Sequence, residues 1–410
     1  MAQSVAVIGA GIIGLCTALE LTKRGIAVTL FDGKGVAMGC SFGNAGHFAT
    51  EQVFPLAEPS LLTKLPRMLF DKTGPLRLDW RYLGKALPWF WRFLLNMQKR
   101  HFVVHSQALR ALNEAALPAY QRLLGESYAT LINANGSLLT FEHQDFALVD
   151  KLAAQFRAQG VAVKVLRGQE IQALEPELGR NVQQALWFTE VAHSSDPHTL
   201  CLTIKAQLDS AQVQFNQAHI KHIYSSSQGV IVTTVDDEQH RFDELVIAAG
   251  AWSKPLVKQL GFNVPLDTER GYHAMLNCAN PITRPVASAD RQFIITPMAM
   301  GLRLAGTVEF AGLNAPENHQ RAQVLLPHAQ ALIPTLAGDT ISSTWMGCRP
   351  SLPDSLPVIG TSPKHSNIHF AFGHQHLGLT QGAITAELVA DCIQRRSPRI
   401  TLHPYRIDRF

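Results

Sequence analysis

Val5-Ala6-Val7-Ile8-Gly9-Ala10-Gly11-Ile12-Ile13-Gly14 is an apolar run broken by three glycines in G-x-G-x-x-G spacing. The pattern reads as a strand, a tight turn and the start of a helix. Gly9 permits the turn, Gly11 lets the backbone approach a pyrophosphate, and Gly14 lets the helix pack closely on the strand. The helix N-terminus, with Ile12 and Ile13 in its first turn, aims its positive dipole end at the phosphates. Residues 26–31, Ile-Ala-Val-Thr-Leu-Phe, form the next apolar run, and Asp32 at its end is placed to accept the hydroxyls of an adenosine ribose. Strand, glycine turn, helix and acid in register imply a seat for an adenine dinucleotide.

Composition narrows the reading from another side. The 410 residues, 46% of them apolar and 17% charged, provide ample core and length for two or three domain-sized units. Net charge is +4 with no dense basic run, so nucleic acid is not an expected partner. The six cysteines, at 16, 40, 201, 278, 348 and 392, show no metal-ligand spacing, and no metal is expected. Scattered single cysteines fit small core residues in a reducing compartment. The first 22 residues are apolar but lack a basic leader, and no apolar run reaches the length of a bilayer span, which predicts a soluble, cytoplasmic protein. Leu87-Pro88-Trp89-Phe90-Trp91-Arg92-Phe93-Leu94-Leu95, followed by Lys99 and Arg100, combines aromatic bulk with a basic end. It reads as a helix capping a domain, its two cations complementing the C-terminal dipole. The alternative is a peripheral contact with an anionic membrane.

Residues 39–47 are rich in small side chains, and Ser41, Asn44 and Gly46 there can wrap closely around a cofactor. Residues 60–157 read as mostly helical, 161–166 as a strand and 170–178 as a short helix. Asp196-Pro197-His198 opens a helix with an aspartate N-cap and a proline in the first turn. A short strand over 212–216 and a hairpin over 230–242 follow. Residues 245–253 make a buried strand ending in small residues, so Ala249, Gly250 and Trp252 are expected against something bulky, the cofactor. Alternation over 261–341 predicts a separate sheet.

Four separated motifs then share one pattern: residues 9–14; Ser41-Phe42-Gly43-Asn44-Ala45-Gly46; Trp345-Met346-Gly347-Cys348-Arg349-Pro350-Ser351-Leu352-Pro353-Asp354, running on to Gly360; and Gly373-His374-Gln375-His376-Leu377-Gly378-Leu379-Thr380. Together they resemble the D-amino acid dehydrogenase branch of the glycine oxidase, sarcosine oxidase and D-amino acid oxidase superfamily, over essentially the whole chain. The resemblance implies FAD. It implies an α/β fold with two domains: a Rossmann-like FAD-binding domain from discontinuous segments (1–60, 190–255 and 343–410) and a substrate domain with an antiparallel or mixed sheet (61–189 and 256–342). Strand 368–372 runs into Gly373, and backbone donors at Gly378, Leu379 and Thr380, opening helix 378–393, would face the flavin pyrimidine ring.

Arg349 stands where these enzymes place the arginine that grips the substrate carboxylate, a role its two parallel donors suit. Tyr272 or His273 reaches the pocket, but alternation along a strand allows only one, and Tyr272 is chosen. His47 and His376 are placed near the substrate amine, whose protonation a histidine of ordinary pKa would help to set. Gly43 replaces an alanine common in relatives and reads as tolerable. Cys348 is displaced by one residue from the position of covalent attachment, which predicts dissociable FAD. Arg303 stands where the oxidase branch has a lysine, a slight lean toward a dehydrogenase.

The implied activity is oxidation of a D-amino acid by hydride transfer from its α-carbon to flavin N5, with electrons passed to a non-oxygen acceptor, a quinone or an electron-transfer protein. Residues 266–273 look most like enzymes acting on D-proline or cis-4-hydroxy-D-proline. The alternatives are a glycine or sarcosine-type oxidase using oxygen, and a flavin-bearing electron-transfer subunit of a larger complex.

Overall fold

Strand Ser4–Ile8 is buried throughout its last four residues, and its side chains alternate between two cores. Val5 and Val7 pack into one, Ala6 and Ile8 into the other, which is why the strand reads as a continuous apolar run. The computed structural model describes residues 3–59 and 76–410. Among these, Ser4–Ile8 lies inside a six-stranded sheet ordered Val358–Thr361, Ile368–Phe372, Glu244–Ile247, Ser4–Ile8, Ala27–Phe31, Gln214–Asn216. All neighbours are parallel except the first pair. Helices Ile12–Lys23, Pro197–Ser210 and Gly378–Ile393 supply one of the flanking cores. Asp196 caps the second of these as expected, its Oδ1 accepting from the His198 and Thr199 amides.

The second sheet has nine strands among the described residues. Toward one edge the antiparallel strands Asp267–Leu276 and Gly301–Phe310 lie side by side, and the edge strand Ile341–Ser351 pairs with the first along its whole length. The domain boundary expected at 343 therefore falls inside a strand of this sheet. Helix Lys99–Leu124, expected with the substrate domain, lies in the nucleotide-side core instead. There Tyr120 donates to the Leu379 carbonyl at 2.6 Å and meets the face of Gly382.

The aromatic segment divides in two. Helix Leu83–Asn96 docks on the large sheet through buried Trp89, which packs on Phe310, so a capping helix is present. Its other face is not covered: Trp91 is 64% exposed, and Leu87, Leu94 and Leu95 are exposed beside it. Lys99 and Arg100 do not complement its C-terminus. Gln98 is the N-cap of the next helix, so both cations stand in that helix's first turn, at the unfavourable end of its dipole. No helix among the described residues is long and apolar enough to cross a membrane.

Candidate active site

A cavity of about 700 Å³ opens where the two sheets meet. Its lining runs from Gly9, Gly11, Ile12, Ile13 and Asp32 through Ser41, Asn44 and His47. It continues to Ala249, Gly250 and Trp252, then to Arg349, Gly373, His376, Gly378 and Leu379. Residues from six distant stretches thus share one space. Three expected cofactor residues stand behind the wall. A Cβ on Gly14 would lie 1.7 Å from the Gly9 carbonyl oxygen, so this glycine serves helix packing. Gly46, at φ +74°, is pressed against the Ser194 carbonyl, and Thr380 Oγ1 accepts the Ala49 amide at 2.9 Å.

The glycine turn is held by contacts of the chain itself. Gly9 adopts φ +113° with the Ala248 carbonyl so close that only glycine fits. Asp32 fastens the turn: its Oδ2 accepts the Ala10 amide at 2.8 Å, and its Oδ1 accepts those of Lys34 and Gly35. A carboxylate has about four acceptor positions, so capacity remains toward the cavity. Ser41 Oγ accepts the Ile12 amide at 2.9 Å, joining the small-residue loop to the helix N-terminus. A Cβ on Gly11 would meet nothing nearer than Ser41 Oγ at 3.2 Å, and one on Gly250 would meet nothing within 4 Å. Bare backbone therefore faces open space at the turn and again at the end of the 244–247 strand. These residues fit FAD: Gly11, Ile12 and Ile13 would hold its diphosphate and Asp32 its ribose.

At the other end, the Arg349 guanidinium lies across Gly271, where any side chain would collide with its Cζ at 2.4 Å. Arg349 makes no hydrogen bond or ion pair among the described residues. Glu269 is its register partner across the strands, yet Glu269 accepts instead from Ser351 Oγ at 2.6 Å. Burial holds the Glu269 carboxyl above the usual range. A fork of donors thus points into a largely apolar cavity without a carboxylate to receive it.

Tyr272 and His273 both border the cavity, although alternation leads to the expectation that only one would, and the Tyr272 hydroxyl chosen for the substrate carboxylate is engaged elsewhere. Tyr272 is directed into the core of the large sheet, where its hydroxyl donates to Glu309 Oε2 at 2.6 Å and accepts the Asn318 amide. His273 shares the face of Gly271 and Arg349. Its Nδ1 donates to the Gly43 carbonyl at 3.0 Å, which leaves Nε2 as an acceptor when the ring is neutral.

His47 and His376 line the cavity, but neither titrates near neutrality. Burial pushes each down to about 4, with Arg349 and His47 adding repulsion at His376. His273 is lower still, at about 3, through burial and then the Arg303 charge. All three are neutral hydrogen-bonding groups at physiological pH. Arg303 does not reach the cavity; it donates to the Asn44 carbonyl and so ties the large sheet to the small-residue loop.

Two residues escaped the sequence reading. Trp345 stacks on His273 with ring centroids 5.1 Å apart and presses on Gly43 and Gly347, where a Cβ would stand 2.3 and 2.0 Å from its ring. Gly43 is therefore required by the tryptophan, a relation no local pattern announces. Glu51 is buried against the same cavity, although Thr-Glu-Gln in a loop reads as solvated.

The family described as FAD dependent oxidoreductase matches residues 4–392. A protein named D-amino-acid oxidase from Bradyrhizobium diazoefficiens is 35% identical over 425 residues, covering 100% of this chain and 99% of the relative. One named D-amino acid dehydrogenase from Paramagnetospirillum magneticum is 29% identical, again over 100% and 99%. Among solved structures, glycine oxidase from Geobacillus kaustophilus superposes with a TM-score of 0.76 at 21% identity, covering 100% of both chains. With a cradle that fits the dinucleotide and a family match over nearly its full length, this chain belongs to the FAD-dependent oxidoreductases.

Proposed function

We propose that the protein oxidises the Cα–N bond of a D-amino acid, with a preference for a cyclic imino acid such as D-proline or cis-4-hydroxy-D-proline. The observation that carries this reading is the unpaired Arg349 guanidinium facing the cavity. The names of the two sequence relatives support it. Arg349 receives the substrate carboxylate through two parallel hydrogen bonds, which fix the α-carbon as well as bind it. His273, His47 and His376, all neutral, supply acceptors and donors around the amine without adding charge. Trp345, wedged against Gly43 and Gly347, bounds the space for a side chain and favours a compact ring. FAD, when bound, supplies the acceptor for the hydride that leaves the α-carbon. The imine product is released as such from a ring, or hydrolyses to a 2-oxo acid and ammonia.

The cofactor is held without a covalent bond in this reading. Burial pushes the Cys40 thiol up to about 12 and raises that of Cys348, so neither offers the thiolate that attachment requires. The electron acceptor is a carrier at a membrane surface, supported by the exposed apolar face of helix Leu83–Asn96. Between Asp79 and Glu114 the chain has Arg81, Lys85, Arg92, Lys99, Arg100 and Arg110 and no acidic residue, which suits anionic lipid.

Rates with D-proline, L-proline, cis-4-hydroxy-D-proline, D-alanine, D-arginine and sarcosine, each with an artificial acceptor and with oxygen alone, test the proposal. The D-imino acids should be fastest and the artificial acceptor should exceed oxygen. Best turnover of D-alanine or D-arginine would remove the ring preference, and vigorous peroxide formation would favour the oxidase reading.

A further inference from the structure

Arg349 and the neutral histidines leave one cavity carboxyl without a role. Glu51 follows the short strand His47–Phe48 and is only 4% exposed. Its Oε1 lies 3.4 Å from His47 Nε2, while its Oε2 has no hydrogen-bond partner among the described residues. The segment carrying it is held on both flanks, and one of the holding groups is itself anchored. Thr380 holds the Ala49 amide, Asn113 Nδ2 donates to the Gln52 carbonyl at 3.0 Å, and Gln381 in turn donates to Asn113 Oδ1. A buried acid held this firmly, with a free oxygen, is costly unless a partner arrives.

The surroundings say what that partner is. His47 stands beside Glu51 and pairs with His193 across the neighbouring strand, while His376, which lines the same cavity, lies near both His47 and Arg349. Burial pushes His193 down to about 4, as it does His47 and His376, so Arg349 is the one cation in the row at neutral pH. No lysine or arginine pairs with Glu51 among the described residues. The missing partner is a positive donor group. A zwitterionic amino acid supplies it: its carboxylate meets Arg349 and its ammonium meets Glu51.

We propose that Glu51 binds the substrate ammonium group and accepts its proton at Oε2. The inference rests on the reading of an amino-acid substrate held by Arg349. In the step, one N–H bond of the ammonium breaks and an O–H bond forms on Glu51, with no change of oxidation state. The amine is left with the free electron pair that expulsion of hydride from the α-carbon requires. Burial pushes Glu51 up to about 8, its own amide and the Gln52 side chain pulling partly back. An incoming ammonium favours the ionised carboxylate, and an acid poised near working pH is an efficient proton acceptor.

The test compares wild type with Glu51→Gln and Glu51→Asp as FAD-loaded proteins. In wild type, kcat/KM for the best amino acid should rise with pH through about 8 and then level. Glu51→Gln should lower it by about 10²–10⁴-fold at neutral pH. Its rising limb should move up to the substrate's own ammonium pKa, so the deficit closes at high pH. Glu51→Asp should restore the lower limb in part. Cyclopentanecarboxylate, a ring carboxylate without nitrogen, should bind Glu51→Gln within about twofold of wild type by calorimetry, the margin of a substitution that touches nothing in that ligand. An unchanged pH profile, equal loss of affinity for cyclopentanecarboxylate and substrate, or loss of FAD from both variants overturns the proposal. Failure of wild type to oxidise any amino acid overturns the substrate reading with it, whereas wild-type turnover with an unaltered Glu51→Gln profile overturns this inference alone.

Discussion

In the proposed function, Arg349→Ala removes both donors to the substrate carboxylate and leaves that charge unmatched in a partly desolvated cavity. Loss of such a pair costs about 2–5 kcal/mol, or roughly 30- to 4,000-fold in kcat/KM. FAD content should stay near wild type, because Arg349 holds no part of the fold through hydrogen bonds among the described residues. A variant with unaltered kinetics would remove the carboxylate assignment. Gly43 makes a second prediction at this scale. Its added methyl would sit 2.3 Å from the Trp345 ring, so Gly43→Ala should cost about 1–3 kcal/mol as an overpacking change. Adding Trp345→Ala should remove most of that penalty, read as coupling in a double-mutant thermal-melt cycle. Strict additivity of the two substitutions would show that the contact carries no strain.

Helix Leu83–Asn96 sets the prediction at the scale of elements. Its uncovered face should bring the protein down with vesicles of mixed anionic and zwitterionic lipid and not with zwitterionic vesicles alone, and salt should weaken the association. Trp91→Glu combined with Leu95→Glu should abolish it while turnover with a soluble acceptor is kept. Absence of vesicle binding, or self-association removed by the same pair, would assign the face elsewhere. The elements also show what a sequence makes legible. The strand–turn–helix at residues 4–23 could be read because glycine sterics and apolar periodicity agree, and helix Gly378–Ile393 appears with the expected bounds. The phase of strand Asp267–Leu276 could not be read. All ten of its residues are buried and polar side chains alternate onto both faces, so polarity marks neither face and the choice between Tyr272 and His273 had no local signal. The boundary expected at 343 falls inside strand Ile341–Ser351 for a related reason: the strand's pairing reaches back across some seventy residues, while its motif reads with the cofactor side. The break at Gln98 between two helices carries no glycine or proline, and Glu51 looks like any loop acid until the fold buries it.

The whole molecule concentrates neutral buried histidines around one cavity, and this predicts its acid behaviour. His47, His193 and His376 lie at about 4, and His273 and His374 at about 3, against about 6.5 in an unfolded chain. Between these values the unfolded state binds more protons, so stability falls as pH drops from about 6.5 toward 4. Glu51 works in the opposite sense, gaining stability as pH falls from about 8, and burial raises Asp267 and Glu269 likewise, but His105 and His328, also lowered by burial, add to the five rings. Thermal midpoints of the FAD-free protein should decline steeply from pH 6.5 to pH 4.5, and a flat profile would contradict the burial of these rings. Each of these features fits one arrangement, in which a dinucleotide seat on the smaller sheet meets the carboxylate clamp proposed for Arg349 on the larger. The most direct test of that arrangement is anaerobic mixing of the FAD-loaded protein with the two enantiomers of proline, followed at the flavin absorbance band. Rapid bleaching by D-proline, slow or no bleaching by L-proline, and loss of the D-proline response in Arg349→Ala is the predicted result. Faster bleaching by L-proline, or D-proline bleaching that survives Arg349→Ala undiminished, would contradict it.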